Sequence, residues 1–334
     1  MLFHFFIASI FKQIPNSFAN IVTTIVQNKY LPVLETTFFS TILLPVSLAF
    51  IMLGMGLSLT RKDFANIFLR PKAVIVGLAA QMLALPVIAF AIAWVFPVPD
   101  EIKIGLFLVA ICPGGATSNL LNYLLNGNLA LCVSLTTINS FLTQISIPLL
   151  LNLALKFFIG KEADVQLSIW ETLVHIVTIT LVPVIVGIIL GHYFPNFAGK
   201  VKSPMKKIMP ALMAIALLGA VILEKKDKIV EMTSTNYLTI VPMALLLNVG
   251  ALFAGYYIAK WSKLSKKSSV TISLEVGLHN TVLAIYIATA LLHNHSMALP
   301  AIVYAMFSFF TSAAFGIWKS GVKIPIKSLF TGKK

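Results

Sequence analysis

Long apolar stretches separated by short polar and basic segments set the pattern of this chain. They cover roughly residues 38–60, 71–96, 103–126, 128–157, 168–191, 206–223, 235–259, 269–292 and 297–318. Each is near the ~20 apolar residues that a helix needs to cross a bilayer. Inside each stretch the apolar positions are continuous. A transmembrane β-barrel would show alternation with a period of two, so that architecture is excluded. The pattern predicts an all-α polytopic membrane protein with nine spans. Residues 1–37 fit it poorly, because Lys12, Gln13, Pro15, Asn16, Asn20, Gln27, Asn28 and Lys29 interrupt the apolar character. They read either as an amphipathic segment at the outer surface or as a weak tenth span. The stretch Met1–Phe11 has neither a preceding positive charge nor a small-residue cleavage site, so no secretory signal is expected. Residues 38–334 then form a single domain.

Composition agrees. By length, 334 residues would suggest two soluble domains. Yet 58% of the residues are hydrophobic and 11% charged, against about 25% charged in ordinary globular chains. The mean hydropathy is +0.94. Too few charges remain to cover two soluble domains.

The net charge of +14 does not point to nucleic acid, because the positive residues lie in short clusters between apolar runs. Arg61, Lys62, Arg70 and Lys72 occupy one loop. Lys200, Lys202, Lys206 and Lys207 occupy a second loop of the same set, and Lys260, Lys263, Lys266 and Lys267 a third. The tail adds Lys319, Lys323, Lys327, Lys333 and Lys334. Opposite loops hold Lys103, Lys156, Lys161, Lys225, Lys226 and Lys228, with most of the loop acids. The positive-inside rule places the C-terminus in the cytoplasm and the chain, multi-pass, in the plasma (inner) membrane. Cys112 and Cys132 both lie in apolar runs, with no disulfide framework or zinc spacing.

Two spans are broken. The first reads Cys112-Pro113-Gly114-Gly115-Ala116-Thr117-Ser118-Asn119. Proline and two glycines in mid-span stop a helix, and irregular backbone survives at membrane depth only within protein or beside a wet cavity. Ser118, Asn119, Asn122 and Asn126 follow with polar atoms. The plainer alternative is a proline kink with helix–helix hydrogen bonds. The second reads Glu275-Val276-Gly277-Leu278-His279-Asn280-Thr281. Of the acidic residues, Glu275 alone sits inside an apolar run. A charge at mid-bilayer costs about 2.5–3.5 kcal/mol on insertion scales. A bound cation or protonation would offset that cost. Breaks in corresponding halves, roughly 38–190 and 191–320, are the sequence mark of a secondary-transporter site between inverted repeats. Gln81 is a lone amide in an apolar span, read by itself as a packing hydrogen bond. His175 and His192 fall near span ends and read as structural.

The chain resembles the bile acid:sodium symporter family. The likeness runs from Phe50-Ile51-Met52-Leu53-Gly54-Met55-Gly56-Leu57-Ser58-Leu59 with Asp63-Phe64, through Arg70-Pro71-Lys72 and Gln81. It is strongest at Cys112 to Asn119 with Gly127-Asn128-Leu129-Ala130-Leu131, and at Glu275-Val276-Gly277 with Asn280. The resemblance implies nine or ten helices, arranged as a core of inverted repeats beside a panel, with two broken helices crossing at mid-membrane. It implies sodium-coupled uptake of a small organic anion that is bile acid-like, pantoate-like or an oxo acid, and no enzymatic activity. It further implies one sodium site at Ser118, Asn119, Cys132, Thr136 and Glu275. A second would use Gln81, Glu275, the carbonyls of Val276 and Leu278, and His279. The anion would lie near Ala116, Thr117 and Asn280.

Three positions depart from the family pattern. Cys132 replaces a hydroxyl, and its soft sulfur suits sodium poorly. His279 replaces a glutamine. The hydroxyl after the two glycines is shifted, to Ala116 followed by Thr117. One or two sodium ions are therefore expected. If Glu275 and His279, four apart, share a helix face, a protonated His279 could stand in for the second sodium, giving uptake that depends on pH between about 5.5 and 8. His279 could instead hydrogen-bond a neighbouring helix. Two readings compete with sodium coupling: a proton-coupled or uncoupled anion transporter or channel, and an intramembrane metal enzyme using Glu275 and His279.

Overall fold

The computed structural model describes residues 42–59, 69, 71–160, 169–196, 198–201 and 234–321. The segment 1–37, the span expected near 206–223 and the lysines beyond 321 lie outside the described residues. Among the described residues every regular element is a helix, and no β-strand occurs. In chain order these are α1 (Leu44–Ser58), α2 (Pro71–Ala79), α3 (Leu85–Val95), α4 (Asp100–Ile111), α5 (Ala116–Leu124) and α6 (Leu129–Phe158). There follow α7 (Ile169–Ile176), α8 (Val182–Tyr193), α9 (Ser234–Trp261), α10 (Lys266–Gly277), α11 (Thr281–Tyr286) and α12 (Leu299–Ser320). Among the described residues, five helical segments are long and apolar enough to cross a membrane: Pro71–Val95, Leu129–Phe158, Trp170–Tyr193, Thr239–Trp261 and Ser296–Ser320. Exposed Leu83, Val87, Ile145, Leu149, Leu153, Met306 and Phe310 give the exterior an apolar face. A bilayer matches such a face; water does not.

Proline shapes the long spans. α2 and α3 form one rod with a π-turn at Ala80–Ala84, and α7 and α8 form another with a π-turn at Val177–Leu181. Each π-turn leads into a helix with proline in its first turn, Pro86 and Pro183. Proline lacks an N–H and crowds the carbonyl four residues earlier, so the turn before it widens. Gln81 sits inside the first widened turn.

α1 packs along α8 and the preceding π-turn. Glycine brings these rods together: a Cβ at Gly56 would strike the Val184 carbonyl, and one at Gly187 the Leu53 carbonyl. Between helices in lipid, where apolar burial gives little drive, such close backbone approach supplies the packing. Elsewhere α4 packs on α3, α6 and α12, and α10 on α9, α12 and α6.

The two interrupted spans are α4–α5 and α10–α11. Cys112 is extended ahead of Pro113, as a residue before proline prefers, and Gly115 is extended ahead of α5. In the second span Leu278 is extended after α10. The breaks meet: Gly114 and His279 form an antiparallel bridge, and the N–H of Asn280 donates to the Pro113 carbonyl at 2.8 Å. Backbone groups released by each break are thereby paired inside protein, as membrane depth requires.

Candidate functional site

Glu275, in the last turn of α10, is fully buried. Ser118 in the first turn of α5 donates to its Oε2 at 2.6 Å, and Thr136 of α6 donates to its Oε1 at 2.6 Å. The Cys132 thiol, one turn earlier on α6, lies 3.1 Å from Oε2. Asn122 donates its amide to the Cys132 sulfur at 3.1 Å and to the Ser118 carbonyl at 3.0 Å. A Cβ at Gly114 would fall on the carboxylate, so only glycine lets the first break cross over it. Four of the five residues expected at the first sodium site thus converge. The fifth, Asn119, is half-buried, and its Oδ1 has no hydrogen-bond partner.

Each hydroxyl has a second acceptor. Ser118 Oγ lies 2.7 Å from the Gly115 carbonyl, and Thr136 Oγ1 lies 3.0 Å from the Cys132 carbonyl. A hydroxyl has one proton and two lone pairs. Turned to the carboxylate, it satisfies the anion. Turned back to its own helix, it presents oxygen to a cation.

The residues expected at the second site lie on elements that pack together, since α10 touches both α2 and the π-turn at Ala80–Ala84. Gln81 lines a small pocket with Cys112, Asn139 and Thr143, whereas His279 lines a different cavity at the crossover. The sequence suggests a packing hydrogen bond for Gln81, but both of its amide atoms are buried without a hydrogen-bond partner. His279 also departs from expectation. α10 ends at Gly277, so His279 is not on a shared helix face with Glu275. Its ring nitrogens make no hydrogen bond of full geometry, though the Cys112 and Val276 carbonyls lie near, and the ring packs against Tyr304 at 5.6 Å. At this helix end the Gly277 carbonyl is taken up from outside, by Asn248 Nδ2 at 2.8 Å and the Tyr304 hydroxyl at 2.8 Å.

The crossover cavity has a volume of about 100 Å3. Gly115 and Thr117 from the start of α5, His279, Asn280 and Thr281 from the second break, and Met52 and Met55 of α1 line it. α5 begins without a side-chain cap, so its first N–H groups have no side-chain acceptor. Asn280 caps α11, accepting from the Leu283 N–H at 3.1 Å. The side chain of Ala116 lies outside the described residues; its backbone opens α5. Asn139 and Asn248, both fully buried, were not apparent as site residues in the sequence. Their signal was the same as that of Gln81, a lone amide within an apolar span.

Comparison with known proteins places this geometry. The model of the sodium bile acid symporter family matches residues 45–232, more than half of the chain. An uncharacterized sodium-dependent transporter of Bacillus subtilis, YocS, is 32% identical over 263 residues, covering 79% of this chain and 77% of that protein. A probable chloroplastic sodium/metabolite cotransporter of rice, BASS2, is 33% identical over 268 residues, 80% of this chain and 61% of that protein. The ileal sodium/bile acid cotransporter of rabbit is 29% identical over 244 residues, 72% of this chain and 67% of that protein. With a family match over residues 45–232 and a relative 32% identical over 79% of its length, the chain belongs to the sodium bile acid symporter family.

Proposed function

We propose that this protein is a secondary transporter that couples sodium entry to uptake of a small organic anion. The observation that carries the reading is Glu275, a buried carboxylate whose two hydroxyl donors each have an alternative acceptor. On sodium entry the Ser118 and Thr136 protons swing to the Gly115 and Cys132 carbonyls. Their oxygens, Glu275 and the unpartnered Oδ1 of Asn119 then face the ion. The cation offsets the cost of a charge at mid-membrane. Cys132 contributes little, because sulfur is a soft ligand for a hard ion. His279 offers nitrogen where a hard cation takes oxygen, so it is a poor ligand for a second ion.

The anion sits in the crossover cavity, where the positive end of α5 favours negative charge. Thr117 and Asn280 border it. At about 100 Å3 the cavity is small beside the ~300–1,000 Å3 of drug-sized pockets. That favours a pantoate-like or oxo acid over a steroid. Sodium at Glu275 and anion at α5 share the same backbone crossing, so each promotes binding of the other.

Residues 38–334 act as one transporter domain of two inverted repeats in the inner membrane. The end of α9, the start of α10 and the end of α12 gather Lys260, Lys263, Lys266, Lys267 and Lys319 on one side, which we assign to the cytoplasm with the C-terminus. A metal enzyme built on Glu275 and His279 loses its premise, since the two do not share a helix face.

The test is uptake into proteoliposomes. An imposed inward sodium gradient should drive saturable accumulation of a labelled small organic acid, recovered chemically unchanged. Uptake indifferent to sodium, or driven equally by a proton gradient alone, would favour the uncoupled or proton-coupled reading.

A further inference from the structure

Three helix termini meet at one rim of the protein. They are the end of α9, the start of α10 and the end of α12, and the three helices pack on one another. Together they carry Lys260, Lys263, Lys266, Lys267 and Lys319. These charges have no match on their own helices. Residues 234–321 contain a single acid, Glu275. It is buried and lies nine residues beyond Lys266, about 13 Å along α10. The C-termini of α9 and α12 supply about half a negative charge each, and the N-terminus of α10 about half a positive one. Five ammonium groups exceed that balance.

The lysines lean across helix boundaries toward one another. Lys319 Nζ of α12 lies 3.6 Å from the centre of the Trp318 ring. It also reaches α9, at 4.9 Å from the ring centre of Tyr256 and 5.4 Å from that of Tyr257. Lys260 Nζ lies 6.0 Å from the same Tyr257 ring. Lys266 reaches from α10 to the end of α12, where a Cβ at Gly321 would come within 3.7 Å of its Nζ. Aromatic faces attract a cation, so Lys319 is held in place. Three like charges, one from each helix, thus converge with no carboxylate of these helices between them. Coulomb repulsion disfavours that arrangement unless an anion shares it.

The surroundings select a lipid over a soluble anion. Trp261 is 76% exposed and Trp318 62%, and both flank the lysines. Exposed indole rings prefer the headgroup level of a bilayer. From Ile317 back along α12, Ala314, Phe310 and Met306 are exposed at steps of three, four and four residues, which makes one apolar strip. The strip is about 16 Å long, close to one leaflet of a ~30 Å hydrocarbon core. A basic rim continuous with an apolar strip matches a molecule with an anionic head and a hydrocarbon tail.

We propose that Lys260, Lys266 and Lys319 form a headgroup site for an anionic phospholipid, with an acyl chain along the strip from Ile317 to Met306. The site does not depend on the sodium-coupled reading. Its occupant braces the start of α10, the helix whose last turn carries Glu275.

The experiment titrates the purified full chain in detergent with brominated phosphatidylglycerol or brominated phosphatidylcholine of the same acyl chains. Quenching of tryptophan fluorescence reports binding. Trp94→Phe and Trp170→Phe leave Trp261 and Trp318 as the reporters. A lysine near an anionic headgroup is worth about fivefold in affinity. Phosphatidylglycerol should therefore bind at least tenfold more tightly than phosphatidylcholine. Combined Lys260→Gln, Lys266→Gln and Lys319→Gln should abolish the preference, and the three corresponding arginine substitutions should keep it. Lys103→Gln, remote from the rim, should leave it unchanged. If the triple glutamine variant fails to fold, Lys260→Gln with Lys266→Gln decides, with an expected loss of at least fivefold. Equal binding of the two lipids, or a preference that survives the glutamine variants, would overturn the proposal. Full displacement of phosphatidylglycerol by millimolar inorganic phosphate at constant ionic strength would reveal a site for a soluble anion and overturn it too.

Discussion

The N–H of Asn280 donates to the carbonyl of Pro113 at 2.8 Å, and this bond ties the two broken spans together at their midpoints. It sits beside the antiparallel bridge between Gly114 and His279. On one side of the crossing lies the Glu275 carboxylate, and on the other the cavity at the start of α5. A shift of either break is therefore felt by both sites, which is the physical requirement for coupled binding.

Replacing Glu275 by glutamine keeps the shape and removes the charge. A hydrogen bond to a charged group contributes about 1.5–3 kcal/mol. Loss of one such interaction lowers apparent sodium affinity by about tenfold or more. Uptake measured against sodium concentration should show this loss together with loss of sodium-driven accumulation. Near wild-type uptake in Glu275→Gln would be incompatible with the proposed site.

Cys132→Ser exchanges a soft ligand for a hard one at 3.1 Å from Glu275 Oε2. Half-saturating sodium should fall, with the maximal rate of uptake altered less. If the sodium titration is unchanged or shifts upward, position 132 does not touch the ion.

Gly114→Ala places a methyl group on the Glu275 carboxylate. The backbone must move there, and with it the bridge to His279. Overpacking of this kind typically costs about 1–3 kcal/mol. The variant should show a lower melting temperature in detergent and lose the stabilisation that sodium gives to wild type. A variant that melts and responds to sodium as wild type does would contradict the close approach.

His279→Gln introduces an amide at the crossover cavity. The expected change is in KM for the anion, with the steepness of the sodium dependence retained. A sodium dependence that steepens in this variant would place an ion at position 279 after all.

The spans were legible because a bilayer imposes length and continuous apolarity on any helix that crosses it. The expected run at 128–157 appears as Leu129–Phe158, and that at 71–96 as Pro71–Val95. The first break was equally legible, since Pro113 and its glycines stop a helix by local covalent chemistry alone. Glu275 stood out because no neighbour in sequence could match its charge.

The second break was read in the right place but with the wrong geometry. Gly277 marks the end of α10 locally, but the partners that take up its carbonyl, Asn248 and Tyr304, come from 29 and 27 residues away. The pairing of Gln81 with Asn139 across one pocket was equally hidden. By itself the sequence determined which described segments are long and apolar enough to cross a membrane, where the first break falls and which carboxylate lies buried. The tertiary structure alone decided where His279 points and which orphaned amides face one another. Those outcomes depend on hydrogen bonds and packing between distant segments, which residue spacing along one helix does not encode.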